Sequence, residues 1–433
     1  MQPTYYGHHR RNLTITMIVS LIVVVAFVAG IFAIFGEKPT PAPAVIGSKI
    51  DKSLGGGRKL LNADVWDGSS YRFFDNGTGE SWDPYLIECA EHLVYLCKIA
   101  FSWDTYYYYR QTVDIDLNCA VNGWSGISEF VGDYNGDGHS IININSALIA
   151  YLNEGSVHDL NISYVGEMPA SIYGSGYNVN SGNFGGLVNF IGNTSGQYVS
   201  VYNCTTDGFT IKGDNNTLFV AGGLIGRIED MSTVSISNCH VKNLSFTVNQ
   251  TVSNYGVGKT GGIVGTVYSD SNEGGAISNC SATNLYIDYT GSISFGGILG
   301  TGKATEIYDC YTSGVVYLRG GGLFGGIATE DASIIDSCTS EIDVYSYAGS
   351  HHVDYAGICY SSHYTNSVIS NCNYSGDIYV EKTSIYMVYV GGITVFGFVK
   401  ISSCSFDGSI TINNVNSTSN NVYFYPPLAK RGK

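Results

Sequence analysis

The amino-acid sequence predicts an all-β fold: a parallel β-helix solenoid with an N-terminal capping helix, preceded by a single transmembrane helix. Three observations predict it: a diglycine motif that recurs through the second half of the chain, a cysteine that follows each copy, and an uncharged apolar stretch near the N-terminus. The composition agrees, because 55 Gly, 34 Tyr and only 13% charged residues favour short strands and turns over helices.

The N-terminal segment predicts a membrane anchor. Residues 15–36 carry no charged side chain, and about twenty helical residues cross the hydrocarbon layer. Arg10 and Arg11 precede this segment, so residues 1–14 are expected to form a cytoplasmic tail, and the bulk of the chain to lie outside the plasma membrane or in a lumen. The alternative is a cleaved signal peptide, for which Ala42-Pro43-Ala44 offers a small-residue site.

Two segments connect this anchor to the repeats. Residues 37–70 are rich in proline and glycine and predict a semi-extended stalk. Residues 71–120 predict an N-terminal cap with a helix over 83–101, because Asp83 can cap it, Pro84 suits a first turn, and apolar residues then recur at helical spacing. Such a cap would cover the open end of a solenoid.

The repeats occupy residues 121–410, and residues 411–433 are expected to form a C-terminal cap and basic tail. Seven copies of the diglycine motif, one of them degenerate, begin at Gly185, Gly222, Gly261, Gly296, Gly321, Ala356 and Gly391. Each glycine run is too short for a helix, and the following segment alternates so that an aliphatic residue and a cysteine face one side. Three short strands per repeat without a crossover helix describe one coil of a β-helix.

The cysteines are predicted to form an inward ladder, one per coil. The seven that share the repeat position are Cys204, Cys239, Cys280, Cys310, Cys338, Cys372 and Cys404. Neighbouring coils would bring their Cα atoms within disulfide range, but a thiol is also a good small core residue, and buried free thiols are the favoured interpretation. The cysteines outside the ladder, which are the candidates for disulfides, are Cys89, Cys97, Cys119 and Cys359.

The order of these motifs resembles the GLUG-type repeat of microbial surface proteins. The resemblance covers about residues 80 to 410 and includes the lead-in Phe130-x-Gly-Asp-Tyr-Asn-Gly-Asp-Gly-His139. It implies a right-handed parallel β-helix on a cell surface, as in adhesin-like proteins and in accessory regions of secreted immunoglobulin-A peptidases. The sequence contains no His-Glu-x-x-His, so the resemblance does not carry over proteolytic chemistry.

Few residues suggest chemistry, and no catalytic residue or cofactor is predicted. Asp133, Asn135 and Asp137 match the opening of a calcium loop, but its closing position is Ile144 rather than Glu, and a self-bonded turn explains the same pattern. Eight sequons are glycosylation candidates: Asn76, Asn161, Asn193, Asn215, Asn243, Asn249, Asn373 and Asn416.

These features predict a membrane-anchored extracellular β-helix for adhesion, recognition or surface-coat structure, without enzymatic activity. The alternative is a glycan-acting β-helix enzyme, a polysaccharide lyase or hydrolase, which would need convergent carboxylates or basic residues. The expected partner is a surface protein or a glycan. The net charge of −15 argues against nucleic acid. Small residues such as Gly30 and Ala33 would allow homo-oligomers through the anchor.

Overall fold

The computed structural model describes residues 63–99, 105–119, 124–169, 182–192, 198–214, 220–229, 234–249, 258–268, 275–348, 353–362, 367–382, 388–397, 399–414 and 422–425. The chain divides into two compact units, 1–54 and 55–433, and every described residue belongs to the second. The predicted cytoplasmic tail, the membrane anchor and residues 37–62 of the stalk lie outside the described residues. In the described part, no helix has the length and apolar character needed to cross a bilayer.

The described part consists of strands and one helix. The strands that precede the first diglycine, and the helix α1, are β1 Asp64–Val65, β2 Tyr85–Ile87, α1 Ala90–Ile99, β3 Tyr107–Gln111, β4 Ile115–Asp116, β5 Phe130–Asn135, β6 Ser140–Ile144, β7 Ile149–His158, β8 Asn161–Tyr164 and β9 Met168–Pro169.

Twenty-nine further strands follow in the described residues. They are β10 Asn183–Gly185, β11 Val188–Ile191, β12 Val199–Tyr202, β13 Thr205–Asp207, β14 Thr210–Asp214, β15 Val220–Gly222, β16 Ile225–Ile228, β17 Val234–Ser237, β18 His240–Lys242, β19 Ser245–Asn249, β20 Gly258–Gly261, β21 Val264–Val267, β22 Ala276–Ser278, β23 Ser281–Gly296, β24 Leu299–Tyr308, β25 Tyr311–Gly325, β26 Ala328–Asp336, β27 Thr339–Ala348, β28 Val353–Ala356, β29 Cys359–Ser362, β30 Val368–Ser370, β31 Asn373–Tyr374, β32 Ile378–Lys382, β33 Val388–Gly391, β34 Thr394–Gly397, β35 Lys400–Ser402, β36 Ser405–Phe406, β37 Ile410–Asn414 and β38 Val422–Tyr425.

These strands form two parallel sheets, which we call the broad sheet (22 strands) and the narrow sheet (16 strands) on the described residues. In a typical coil, β16 and β17 belong to the narrow sheet, and β18, β19 and β20 belong to the broad sheet. Each strand pairs in parallel with its counterpart one coil on, as β12 does with β17 and β17 with β22. The predicted all-β parallel solenoid is therefore confirmed.

The predicted helix over 83–101 is wrong in its start. Residues Tyr85–Ile87 form β2, which pairs in parallel with β3, and α1 begins only at Ala90. The amide of Ala90 donates to Asp64 Oδ2 at 2.7 Å, so the first turn is capped by a distant carboxylate rather than by Asp83. Residues 85–87 form backbone hydrogen bonds with the next coil, so they adopt a strand despite the helical spacing of their apolar residues.

The solenoid also extends beyond the predicted boundaries. Asp64 pairs with Ile115 in the broad sheet and Tyr85 with Tyr109 in the narrow sheet, so the parallel ladder begins within the predicted stalk and cap rather than at residue 121. At the other end, β38 pairs in parallel with β33, and the ladder continues into the predicted C-terminal cap. Pairing with strands of the neighbouring coil sets where the solenoid begins and ends, and the sequence pattern indicates this pairing only weakly outside the repeats.

The diglycine pairs form the corners at which the chain passes from the broad sheet to the narrow sheet. A Cβ on Gly223 would lie 2.3 Å from the carbonyl oxygen of Gly262, and one on Gly262 would lie 1.9 Å from that of Gly297. Stacked corners approach too closely for any side chain, which is why the pair recurs. One coil accommodates a Cβ at the first position, where Ala356 is in register with Gly325.

The fifth diglycine corner lies four residues later in the chain than the Gly321 start that the sequence pattern predicts. The register aligns Gly296 with Gly325, so the corner is Gly325-Gly326, and Gly321-Gly322 lies inside β25. The run Gly-Gly-Gly-Leu-Phe-Gly-Gly-Ile contains two diglycines, and both precede aliphatic residues. Only the register with the neighbouring coil distinguishes them.

A second corner returns the chain from the narrow sheet to the broad sheet immediately before each ladder cysteine. The residue before the cysteine has a positive φ in all seven coils: Asn203, Asn238, Asn279, Asp309, Ser337, Asn371 and Ser403, with φ between 50° and 56°. Asn and Asp tolerate this left-handed conformation better than most residues. The cysteine itself then points inward.

The interior is a set of stacked ladders of apolar residues. The cysteines form one of them, and six of the seven are buried, with only Cys404 of the last coil half-exposed. Each thiol donates to the carbonyl oxygen two residues back, as Cys239 Sγ does to Ser237 O at 3.3 Å. A parallel ladder of fully buried aliphatic residues includes Val201, Ile236 and Ile277. Repetition of one small core cross-section explains the repeat of the sequence.

Candidate functional site

The three candidate calcium residues take part in separate sets of contacts. Asn135 Oδ1 accepts a hydrogen bond from the Asp137 amide at 2.7 Å, and Asp137 is exposed at a positive φ of 49°. Asp133, two residues earlier on β5, accepts instead from Ser156 and His158. The self-bonded turn that was the alternative interpretation describes this segment.

Asp133 belongs to a polar cluster on the narrow sheet that the sequence analysis did not identify. His158 Nε2 lies 3.2 Å from Asp133 Oδ1, and its Nδ1 lies 2.7 Å from Asp159 Oδ2. The ring stacks on Tyr202 with centroids 4.5 Å apart. Burial opposes the charged imidazole, but the hydrogen bonds to the two carboxylates outweigh it and raise the pKa of His158. Both carboxylates are thereby engaged, and this group, which we call the His158 cluster, links neighbouring coils by electrostatic contacts.

The glycosylation candidates fall into different environments. Asn76, Asn161 and Asn249 are exposed, whereas Asn243 and Asn373 are half-buried. Asn243 Nδ2, the atom that would carry a glycan, donates to Asp207 Oδ1 at 2.7 Å, so a glycan there would disturb a contact between coils. Asn373 makes its contact through Oδ1, which accepts from Ser405 Oγ at 2.6 Å. Asn193, Asn215 and Asn416 lie outside the described residues.

None of the four cysteines outside the ladder forms a disulfide, and neither does any of the seven in it. Burial raises the pKa of Cys97 and of Cys119 to about 12 each, so neither thiol is an activated nucleophile. Cys89 lies with Asp64 and Glu91 in the one group of three metal-ligand types found in the described residues. Because Asp64 caps α1, a structural role accounts for this group.

A row of tyrosines lies on the broad sheet, which we call the tyrosine ladder: Tyr286, Tyr317, Tyr345 and Tyr379. Successive ring centroids lie 6.0, 5.4 and 6.3 Å apart. All four rings are half-exposed, because they alternate with inward residues such as Val316 and Val344 that are fully buried.

The ladder rings differ in orientation. Tyr317 and Tyr345 are nearly parallel, at 21°, and stack on each other. The outer rings Tyr286 and Tyr379 are tilted by 58° and 42° against their neighbours. The array therefore combines a stacked central pair of rings with tilted rings at its two ends.

Charged side chains flank the tyrosine ladder. Arg319 forms a two-point ion pair with Asp288, at 2.8 and 3.2 Å, and its guanidinium lies 5.6 Å from the ring of Tyr347. Asp343 and Asp377 lie on the other side and help to raise the pKa of Tyr345, after the larger effect of burial. With Arg319 neutralised, the carboxylates leave this face acidic.

Comparison with known proteins adds little to this geometry. No family model and no curated protein matches the chain. Among solved structures, the chain is similar to a Bacteroides ovatus protein named as a candidate immunoglobulin A1 protease, with a TM-score of 0.44 and 18% identity over 76% of this chain and 86% of that chain.

Proposed function

We propose that this protein is a membrane-anchored extracellular recognition protein of the GLUG-repeat type, a right-handed β-helix without enzymatic activity that serves adhesion or a surface coat. The tyrosine ladder is the observation that carries the proposal. Tyrosine combines a flat apolar ring with a hydroxyl that donates and accepts, which suits it to contacts with proteins and sugars. Three such rings in register and a fourth placed diagonally, on consecutive coils, give an extended contact surface.

The anchor and the orientation complete the proposal. Residues 15–36 would hold the chain in the membrane with residues 1–14 in the cytoplasm, and the stalk would separate the solenoid from the lipid. The carboxylates beside the tyrosine ladder, together with the net charge of −15, favour a partner that is neutral or basic over an acidic one.

The test uses cells that display the full-length chain. Epitope tags at each terminus report the topology, and binding of a glycan and protein array to the cells reports recognition. We expect the C-terminal tag alone to be accessible outside, and Tyr317→Ser with Tyr345→Ser to lower binding about tenfold or more. Tyr198→Ser is the matched control, because Tyr198 is 80% exposed and lies apart from the ladder in sequence. Turnover of a polysaccharide, or binding unchanged by the double variant, would contradict the proposal.

A further inference from the structure

A second surface, on the narrow sheet, carries polar atoms that lack partners. Phe130 pairs with Leu152 at a β-bulge between β5 and β7, and both of these side chains point inward and are buried. Glu129 and Tyr151 each precede one of these two inward residues and so leave the inward face, whereas Asn153 is the unpaired residue of β7 at which the register shifts. We call Glu129, Tyr151 and Asn153 the acceptor site.

Two oxygen atoms of the acceptor site are buried without a hydrogen-bond partner. They are Glu129 Oε1 and Asn153 Oδ1. Glu129 retains only 9% of its exposed surface, and burial raises the pKa of its carboxyl group. Buried polar atoms are nearly always hydrogen-bonded, and each exception needs an explanation. Because both atoms are acceptors, what is missing is a pair of hydrogen-bond donors.

An aromatic wall borders the acceptor site. Tyr151 and Phe190 stack with centroids 5.1 Å apart and an angle of 24°. The Tyr151 hydroxyl donates to Gly192 O at 3.0 Å, which fixes the ring and uses the only donor of that side chain. A Cβ on Gly192 would lie 2.4 Å from the Tyr151 hydroxyl oxygen, so glycine lets the backbone pass over the rings.

The nearby cation is already engaged. Arg227 continues the stack, with its guanidinium 5.6 Å from Phe190 and 4.4 Å from Tyr268. Its Nη2 lies 2.7 Å from Glu229 Oε2. The charge of Arg227 is therefore paired with Glu229. Arg227 packs against the aromatic rings, but it does not donate a hydrogen bond to the two unpartnered oxygens of the acceptor site.

We propose that the acceptor site binds a neutral saccharide, two of whose hydroxyl groups donate to Glu129 and Asn153 while a ring edge lies against Tyr151 and Phe190. Adjacent sugar hydroxyls supply two donors without bringing charge into a buried place. An anion would add acceptors where acceptors are already in excess. An ammonium group would keep the carboxylate charged, which its burial opposes. The site goes beyond the tyrosine ladder and depends on neither that surface nor the anchor.

The test measures binding of neutral, uronic-acid and amino-sugar oligosaccharides to the full-length chain in nanodiscs. We expect a neutral oligosaccharide to bind, and Glu129→Leu to lower its affinity about tenfold or more, since a hydrogen bond to a charged or polar partner is lost. The same variant is expected to raise the melting temperature of the unliganded protein, because an unpartnered carboxyl group leaves the interior. Ser128→Ala, at the exposed neighbour, is the control and should change neither quantity.

Three results would overturn the inference. They are binding of the amino-sugar or uronic-acid oligosaccharides alone, neutral binding that Glu129→Leu leaves unchanged, and no binding of any oligosaccharide on the panel. Tyr317→Ser with Tyr345→Ser separates this site from the proposed recognition surface. If that double variant, and not Glu129→Leu, abolishes saccharide binding, the tyrosine ladder binds sugar and the acceptor site does not.

Discussion

Each coil turns sharply at two corners, and different physical constraints select the residues at the two. At the diglycine corner, a Cβ on Gly262 would lie 1.9 Å from a backbone oxygen of the next coil, so space decides the residue. At the corner before each ladder cysteine, side chains are tolerated, but φ lies between 50° and 56°, so backbone conformation decides it. The first corner accordingly keeps glycine at its second position, whereas the second corner varies among Asn, Asp and Ser.

This difference predicts different sensitivities to mutation. A steric corner should fail for every residue larger than glycine, and the damage should spread, because the clashing atom belongs to the neighbouring coil. A conformational corner should respond in small steps that follow each residue's tolerance of the left-handed region.

The largest effect is expected for Gly262→Val. Its branched side chain would meet the carbonyl of Gly297 and the Cβ of Ala282, which would lie 1.9 and 2.6 Å from its Cβ. Separating the two coils would break stacking on both sides, so we expect a loss of more than about 4 kcal/mol in the free energy of unfolding, measured by urea denaturation. Gly138→Val is the control: its φ is +80° but nothing lies within 4 Å of its Cβ. Equal losses in the two variants would contradict the steric account.

An intermediate effect is expected for Asn238→Val. Asn238 is exposed and has a φ of 52°, and a β-branched residue there costs about 1–2 kcal/mol. Asn238→Gly should leave the free energy of unfolding within about 0.5 kcal/mol of the parent or raise it. If valine and glycine cost the same, the corner is not set by φ.

A small stabilisation is expected for Ser337→Gly. Ser337 holds a φ of 56° without the tolerance of Asn, so glycine should raise the melting temperature, by about 0.5–1 kcal/mol in stability after its greater unfolded-state entropy is counted. Ser235→Gly, at an exposed position inside β17, is the matched control and should lower the melting temperature. The prediction fails if both variants are destabilised alike.

The smallest effect is expected at the His158 cluster, in which His158 stacks on Tyr202, the residue before the corner residue Asn203. Asp133 and Asp159 face the imidazole and raise its pKa in the folded protein. The stabilisation is therefore complete below the unfolded pKa of about 6.5 and is lost as the pH rises through the folded value. Melting temperatures between pH 6 and 9 should fall more steeply in the parent than in His158→Gln, by the equivalent of at most about 1 kcal/mol. Parallel curves would show that the histidine stays neutral.

The repeated features of the fold were predictable from the sequence, whereas features that depend on the pairing of distant residues were not. Glycines and cysteines in phase were enough for the parallel solenoid and its inward thiols, because each coil repeats one cross-section. Gly325-Gly326 was missed because two diglycines compete within eight residues, and the start of α1 was missed because Asp64, 26 residues away, supplies its cap.

The surface sites were harder still to predict. In the tyrosine ladder the strand register aligns Tyr317, Tyr345 and Tyr379. Tyr286 lies diagonally to Tyr317, whose register partner is Asp288. Glu129 carries no motif, and its unpartnered oxygen becomes evident only when the coils are stacked. The left-handed corner does leave a signal in the sequence, because all seven residues before the ladder cysteines are Asn, Asp or Ser.

The stacking of coils is tested most directly by the distance between spin labels on equivalent corners. Labels carried by noncanonical residues at 240 and 405 would sit on strands linked by five pairings, through residues 281, 311, 339 and 373. Five steps of about 4.8 Å give a backbone separation of about 24 Å, and moving the first label to position 205 should add one further step. A broad distribution, or a separation that does not grow by one step, would contradict a single stacked solenoid.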